Sequence, residues 1–332
     1  MTDKRRLVVA IAAGGTAGHV NPALALADEL RRRGHDVHFF GETRRLEGTL
    51  VPQAGFPFHP VHVTGFDRQR PWTLATALVH LAREERRLLK EFREGEIPQP
   101  DVAIGFGAYL ELPLVRAAAK LGVPVALHEQ NSVSGLANKQ SAKLASLIAL
   151  GQPGAEGVLR DRAGASTRIV FTGNPVRRSV LEGDRSRGRA ALGIPEDATM
   201  LLVFGGSLGA KHLNERLAAL KGDVLAAADV VLSRAGASSV AEIAALAVPS
   251  ILVPYPFATA DHQTVNARLL VDAGAATVHA DADIDGEAFA RDLLDALTNP
   301  ARRESMRAAA KGLAQDRAAQ HLADELESLT HA

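Results

Sequence analysis

Three glycine-rich turns and a histidine hold the chemistry that can be read from this chain. The turns are Gly14-Gly15-Thr16-Ala17-Gly18-His19, Gly105-Phe106-Gly107-Ala108-Tyr109 and Gly205-Gly206-Ser207-Leu208-Gly209-Ala210. Each follows an apolar run (Leu7–Ala13, Val102–Ile104, Leu201–Phe204) and precedes a helix-like stretch. A turn without Cβ atoms lets backbone approach a ligand closely, and the helix behind it points N–H groups outward. Three such turns, split between the two halves of the chain, predict a cleft that holds phosphates from two sides. His19 sits on the first turn, where an imidazole titrating near neutrality is suited to take a proton from an alcohol.

Other polar groupings are weighed against that set. His128-Glu129-Gln130-Asn131 directly follows a strand-like run and reads as a ligand-facing cluster. Ser239-x-x-Glu242 fits a capping box, which by itself makes Glu242 structural. Asp281-Ala282-Asp283 matches a metal-holding D-x-D pattern. It lies between a strand and a helix, however, with Asp285 placed to cap, and the structural reading is preferred. No histidine or carboxylate cluster has metal-ligand spacing, so no metal is expected. The first turn lacks G-x-G-x-x-G spacing, which disfavours a nicotinamide cofactor. Glu42, after the second strand, is the one residue that keeps that alternative open. No cofactor is expected.

The elements that must position these residues alternate. Strands are predicted at Leu7–Ala13, Asp36–Phe40, His59–Val63, Val102–Ile104, Val125–His128, Leu147–Leu150 and Arg168–Phe171. Helices are predicted at Asn21–Arg33, Thr73–Glu94 and Leu112–Leu121, the first with Asn21 as cap and Pro22 in its first turn. The alternation restarts with strands Met200–Phe204, Val230–Leu232, Ser250–Val253 and Ala276–Val278. Between them come helices Lys211–Lys221, Ser239–Ala247 and His262–Ala273, and helical patterns run from Gly286 onward. Such alternation predicts two α/β domains with parallel sheets covered on both faces. The boundary is set at residues 1–174 and 175–332, with a last helix able to pack back on the first domain.

Composition narrows the class. The 332 residues are 46% hydrophobic and 23% charged, as in a water-soluble globular protein. Formal net charge is zero, which gives no electrostatic case for nucleic acid. Cysteine is absent, which removes disulfides and thiolate metal sites and fits a reducing compartment. Lys4-Arg5-Arg6 and the following apolar run imitate a signal peptide, but the run ends in Gly-Gly-Thr and reads better as a buried strand. No apolar stretch approaches the ~20 residues that span a bilayer.

The ordered motifs, taken together, resemble the MurG family of N-acetylglucosaminyltransferases. Besides the three turns and His128–Asn131, they include Thr172-Gly173-Asn174-Pro175-Val176-Arg177, Ser233-Arg234-Ala235-Gly236-Ala237 through Glu242, Pro254-Tyr255-Pro256, Asp261-His262-Gln263 and Asn266. The resemblance implies a GT-B fold: two Rossmann-like parallel-sheet domains facing across a cleft. It implies inverting, metal-free transfer of N-acetylglucosamine from UDP-N-acetylglucosamine to the C4 hydroxyl of lipid I, forming lipid II for peptidoglycan. It places the protein peripherally at the cytoplasmic face of the plasma membrane. By resemblance, Thr16 and His19 lie at the reaction centre, and Thr16, Ala17 and Gly18 contact the donor. Asn131 and Gln263 would hold the donor sugar, Arg177 and Ser207 its phosphates, and Glu242 the ribose. Gly15, Gly107, Ala108 and Tyr109 would form the acceptor side. His19 is the expected base, and the Gly206–Gly209 amides, a helix N-terminus and Arg177 would stabilise departing UDP. Half of the apolar residues in Trp72–Phe92 must face the core, and the Trp72 end, with Arg68 and Arg70, is expected to meet an anionic membrane surface.

Three features depart from the family pattern. Ala108 replaces a glycine, and Leu208 stands where glutamine is usual. After Asn214 the chain passes almost directly from Lys221-Gly222-Asp223 to Ala227-Ala228-Asp229-Val230, omitting roughly one βαβ unit of ~30 residues. The second domain is therefore expected to be shortened. Rival readings are another UDP-sugar transferase acting on a lipid or small acceptor, a binding protein that lost donor affinity through the gap, and a nicotinamide enzyme.

Overall fold

The apolar runs become strands because they are buried on both faces. In β1 (Val8–Ala12) the last four residues are buried, and β4 (Val102–Gly105) is buried throughout, as strands in a doubly covered parallel sheet must be. This computed structural model describes residues 5–64, 72–205, 221–313 and 316–330. They divide into one unit of Met1–Gly173 plus Ala318–Ala332 and a second of Asn174–Arg317.

The first unit adds β2 (Asp36–Gly41), β3 (Phe58–Pro60), β5 (Val125–Glu129), β6 (Leu147–Leu150) and β7 (Arg168–Phe171). All seven strands are parallel, in the order β3-β2-β1-β4-β5-β6-β7. The order reverses between β1 and β4, and a ligand crevice of an open α/β sheet forms at the carboxyl ends of such a pair. Both glycine turns of this unit lie there. The helices are α1 (Ala17–Arg32), α2 (Glu47–Gln53), α3 (Thr73–Glu94), α4 (Glu111–Lys120), α5 (Leu136–Ser141) and α6 (Glu156–Arg160).

Two predicted elements move most. Helix α1 starts at Ala17, not Asn21, with Thr16 in the extended N-cap conformation and Pro22 inside the helix. Pro22 cannot donate to the Gly18 carbonyl, but Val20, Ala23, Leu26 and Leu30 are fully buried and their packing outweighs that loss. The third strand is Phe58–Pro60 rather than His59–Val63.

The second unit holds β8 (Leu201–Phe204), β9 (Val230–Ser233), β10 (Ser250–Leu252) and β11 (Ala276–Val278), parallel in the order β11-β10-β9-β8. Its helices are α7 (Arg178–Leu181), α8 (Arg185–Leu192), α9 (Lys221–Ala227), α10 (Ala237–Ala245), α11 (His262–Val271), α12 (Glu287–Thr298) and α13 (Pro300–Lys311). The predicted helix Lys211–Lys221 lies, except for its last residue, outside the described residues. Helix α9 packs directly on α8: a Cβ on Gly188 would overlap the Asp223 carbonyl. Arg187 pairs with Asp223 at 2.8 Å, while Arg185 and the buried Arg189 clasp Asp229 at 2.8 and 2.7 Å.

The final helix, α14 (Ala318–Leu329), belongs to the first unit. Its Leu322, Ala323 and Leu326 join the core beneath α1. Arg33 bridges Asp324 at 2.6 Å and Glu327 at 3.0 Å. The expected caps also change. Helix α10 is capped at Gly236, so Ser239 sits inside it and the capping-box reading fails. Gly286, not Asp285, precedes α12.

Candidate active site

Strands β1 and β4 are hydrogen-bonded neighbours, with Val9 opposite Val102 and Ala12 opposite Gly105. Their turns therefore emerge side by side. A Cβ on Gly107 would stand 3.3 Å from both Cδ2 and Nε2 of His19, and one on Gly15 would be 4.0 Å from the Ala108 methyl. Gly15, Gly107 and Ala108 all have positive φ, at 87°, 84° and 64°. For Ala108 this left-handed conformation costs ~1 kcal/mol. Thr16 Oγ1 is 3.1 Å from His19 Nδ1. Burial lowers the His19 pKa from its ordinary value, against opposing pulls from the Glu129 charge and a backbone bond with Gly14. Tyr109 accepts a hydrogen bond from Arg45 at 3.1 Å, and Arg45 is held in turn by Glu42 at 2.9 Å.

Sequence reading missed what lies under the turns. Glu47, fully buried in the first turn of α2, accepts from the Gly15 N–H at 3.0 Å and the Glu42 N–H at 3.2 Å. Glu111, fully buried in the first turn of α4, accepts from the Gly107 N–H at 2.7 Å and from Ser141 Oγ at 3.0 Å. Cβ atoms on Gly14 and Gly105 would overlap these two carboxyls. Those glycines therefore make room for protein carboxyls rather than ligands, and the amides of Gly15 and Gly107 are already taken. These two amides are therefore not offered to a phosphate. A sequence signal existed only for Glu111, an acidic residue in the first turn of the helix after its glycine turn; Glu47 comes from α2, 32 residues beyond Gly15.

Most of the His128–Asn131 cluster also works inward. His128 is buried, which pushes its pKa down to about 4 against a bond to the Gly173 carbonyl. Its Nε2 lies 3.1 Å from that carbonyl and its Nδ1 lies 3.0 Å from Gln130 Nε2. The neutral ring thus donates from Nε2 and accepts at Nδ1. Glu129 accepts from the Asn131 and Gly135 N–H groups at 3.1 and 2.8 Å and from Asn138 Nδ2 at 2.9 Å. Asn131 is the member left partly exposed, its Nδ2 3.4 Å from Glu129.

Ala17 and Gly18 open α1 in the first unit, whereas Glu242, Gln263 and Arg177 belong to the second. Glu242 is buried in α10 and Gln263 opens α11. The two helices follow adjacent strands β9 and β10, and Asn266 Nδ2 donates to the Ala235 carbonyl at 3.3 Å, tying their loops together. Gln263 Oε1 accepts from the Tyr255 N–H at 2.9 Å, which leaves its amide NH2 as the outward donor. Arg177 starts α7, and Val176 and Val180 pack on Ala241 of α10. Asp281 pairs with Arg234 at 2.5 Å, so the D-x-D pattern is an ion-pair anchor. No group of three or more His, Asp or Glu suited to a metal occurs among the described residues. Ser207 and the third glycine turn beyond Gly205 lie outside the described residues.

Comparison with known proteins decides the family. A glycosyltransferase family 28 N-terminal domain matches residues 9–150, and the corresponding C-terminal domain matches residues 218–322. A Halalkalibacterium halodurans protein named UDP-N-acetylglucosamine--N-acetylmuramyl-(pentapeptide) pyrophosphoryl-undecaprenol N-acetylglucosamine transferase is 34% identical, covering 95% of this chain and 97% of its own. One of the same name from Desulforudis audaxviator is 36% identical, covering 97% and 98%. The crystal structure of Acinetobacter baumannii MurG superposes with a TM-score of 0.72 at 26% identity, covering 97% of this chain and 99% of that one. The chain belongs to the MurG family.

Its fold is accordingly GT-B, with a Rossmann-like parallel sheet in each unit. Among MurG proteins this one is short. Its alignment with the Desulforudis relative runs over 375 residues, more than the 332 of the whole chain, so the relative carries segments that this chain lacks. Four strands form the second sheet among the described residues, against seven in the first.

Proposed function

We propose that this glycosyltransferase moves N-acetylglucosamine from UDP-N-acetylglucosamine to the C4 hydroxyl of lipid I, with inversion at the anomeric carbon. The observation that carries the reading is the His19 imidazole set between two glycine turns in a MurG-family chain. With Nδ1 protonated and donating to Thr16 Oγ1, Nε2 keeps its lone pair on the side that Gly107, lacking a Cβ, leaves open. Burial keeps the ring neutral near physiological pH, as a base must be. Nε2 takes the hydroxyl proton while the oxygen forms its bond to the anomeric carbon and UDP departs with the bonding electron pair.

The second unit supplies the donor groups. Glu242 takes the ribose hydroxyls, the Gln263 amide donates to the sugar, and Arg177 and Ser207 meet the diphosphate. Helices α10 and α11 add the positive ends of their dipoles. In the first unit, Ala17 and Gly18 contribute N–H groups that an α-helix start leaves without intrahelical partners, and Asn131 contributes its amide. Gly15, Gly107, Ala108 and Tyr109 line the acceptor side.

The acceptor is lipid-linked, and the start of α3 suits a membrane surface. Trp72, Leu78 and Val79 are 70%, 52% and 65% exposed, with Arg83 and Arg86 exposed further along the helix. Arg68 and Arg70 lie outside the described residues. No described helix is long and apolar enough to cross a membrane, so attachment is peripheral in this reading, at the cytoplasmic face. The test is transfer of labelled N-acetylglucosamine to lipid I in detergent. Formation of lipid II supports the assignment; turnover only with a water-soluble acceptor overturns it. Unchanged binding to anionic vesicles after charge reversal at Arg68 and Arg70 would refute the membrane contact.

A further inference from the structure

We infer that Glu111 is a positioning residue for this reaction: it clamps the Gly107–Ala108 turn in the conformation that fixes the wall beside His19 Nε2. The inference rests on the reading of His19 as the base.

Glu111 grips this turn at two points. Its carboxyl accepts from the Gly107 N–H at 2.7 Å, and its own N–H donates to the Ala108 carbonyl at 3.2 Å. The turn needs holding. Gly107 and Ala108 are consecutive residues in the left-handed region, and an L-residue such as Ala108 leaves that region readily when nothing constrains it. Ser141 Oγ fixes the other carboxyl oxygen from α5, and Gly105 lacks the Cβ that would exclude the carboxyl from its seat. On its far side the clamped turn meets the reactive edge of His19 and the Asn138 amide; a Cβ on Gly107 would be 3.3 Å from the imidazole and 3.8 Å from Asn138 Nδ2. A relaxed turn would move that wall, and an error of about 1 Å at a reacting group can cost ~10²-fold in rate.

The charged neighbours agree with a clamp that works in its neutral form. Burial pushes the Glu111 carboxyl up to about 8, helped by the Glu129 charge and opposed by the bonds from Gly107 and Ser141. Glu129, from β5, also acts on His19. When Glu111 ionises, a second negative charge joins Glu129 beneath the turn.

The experiment measures kcat and acceptor KM from pH 6 to 9.5 for the full-length wild type, Glu111→Gln and Glu111→Ala, together with the His19 titration followed by NMR of histidine-labelled protein. Glutamine retains both gripping bonds and cannot ionise. Glu111→Gln is expected to keep kcat within about threefold at pH 7 and to lack the decline above pH 8 that Glu111 ionisation is expected to cause in the wild type. Glu111→Ala is expected to lower kcat at least tenfold with little change in donor KM, and to shift the His19 resonance. Wild-type-like kcat and an unmoved His19 signal in Glu111→Ala would overturn the proposal, as would a basic limb that persists in Glu111→Gln. If Glu111→Ala does not fold, the Glu111→Gln profile decides alone. Full activity in His19→Ala would instead refute the base assignment, and the NMR shift would still report whether Glu111 sets the turn.

Discussion

The two units differ in the groups that back their candidate site loops. In the first, the glycine turns rest on the buried carboxyls of Glu47 and Glu111, with Glu129 behind the adjoining loop. In the second, Arg177 begins α7, the Gln263 amide stands at the start of α11, and Arg234 is already paired with Asp281. A carboxyl behind a turn uses up an amide that a phosphate would need, which suits a neutral hydroxyl beside a base. A cation and dipole ends suit a diphosphate. The lesson is that a glycine turn after a strand is ambiguous until the group behind it is known.

Breaking the base should sharpen the contrast most. His19→Ala is expected to lower kcat by ~10²- to 10⁴-fold while donor affinity by calorimetry stays near wild type. Equal losses in both quantities would erase the division of labour between the units. Gly107→Ala comes next, because a methyl there meets His19 at 3.3 Å on a backbone with φ of 84°. We expect roughly a tenfold loss in kcat and about 1 kcal/mol of stability, read by steady-state kinetics and thermal unfolding. On the other unit, Glu242→Ala should weaken UDP binding by about tenfold, the scale of one lost hydrogen bond to a charged group, with a smaller effect on kcat from saturating donor. Unchanged titration with UDP would remove Glu242 from the donor set.

The buried carboxyl predicts a pH signature in stability. Glu111 titrates higher in the folded than in the unfolded chain, so its favourable contribution is complete below the unfolded value near 4.5 and is lost as pH rises toward about 8. The slope is about 1.4 kcal/mol per pH unit across that window. Urea unfolding of Glu111→Gln should lack this component and make the variant relatively more stable at pH 8 than at pH 5. The smallest effect is Ala108→Gly, which relieves the left-handed alanine and should add at most ~1 kcal/mol.

Much of the architecture was legible because its signals are local. Apolar runs marked Leu147–Leu150, Arg168–Phe171 and Ala276–Val278 to the residue, and helix Thr73–Glu94 likewise. Helix α1 was started late because Asn21-Pro22 is a strong local start signal, which tertiary packing of the preceding turn overrode. Ser239 misled for the same reason: a good cap sequence two residues inside a helix that Gly236 already begins. His128 read as a ligand residue because polar residues at a strand end usually serve one; here the ring ties β5 to the Gly173 carbonyl.

By itself the sequence determined the strand-and-helix alternation and the placing of glycines and His19 at strand ends, since periodicity and turn chemistry act over a few residues. Only the tertiary structure decided that β1 and β4 lie side by side although more than 90 residues apart in the chain, that Gly107 therefore faces His19, and that Glu47 and Glu111 fill the space beneath the turns. A carboxyl finds its amide through the strand order of a folded sheet, and that order is set by the packing of the whole unit.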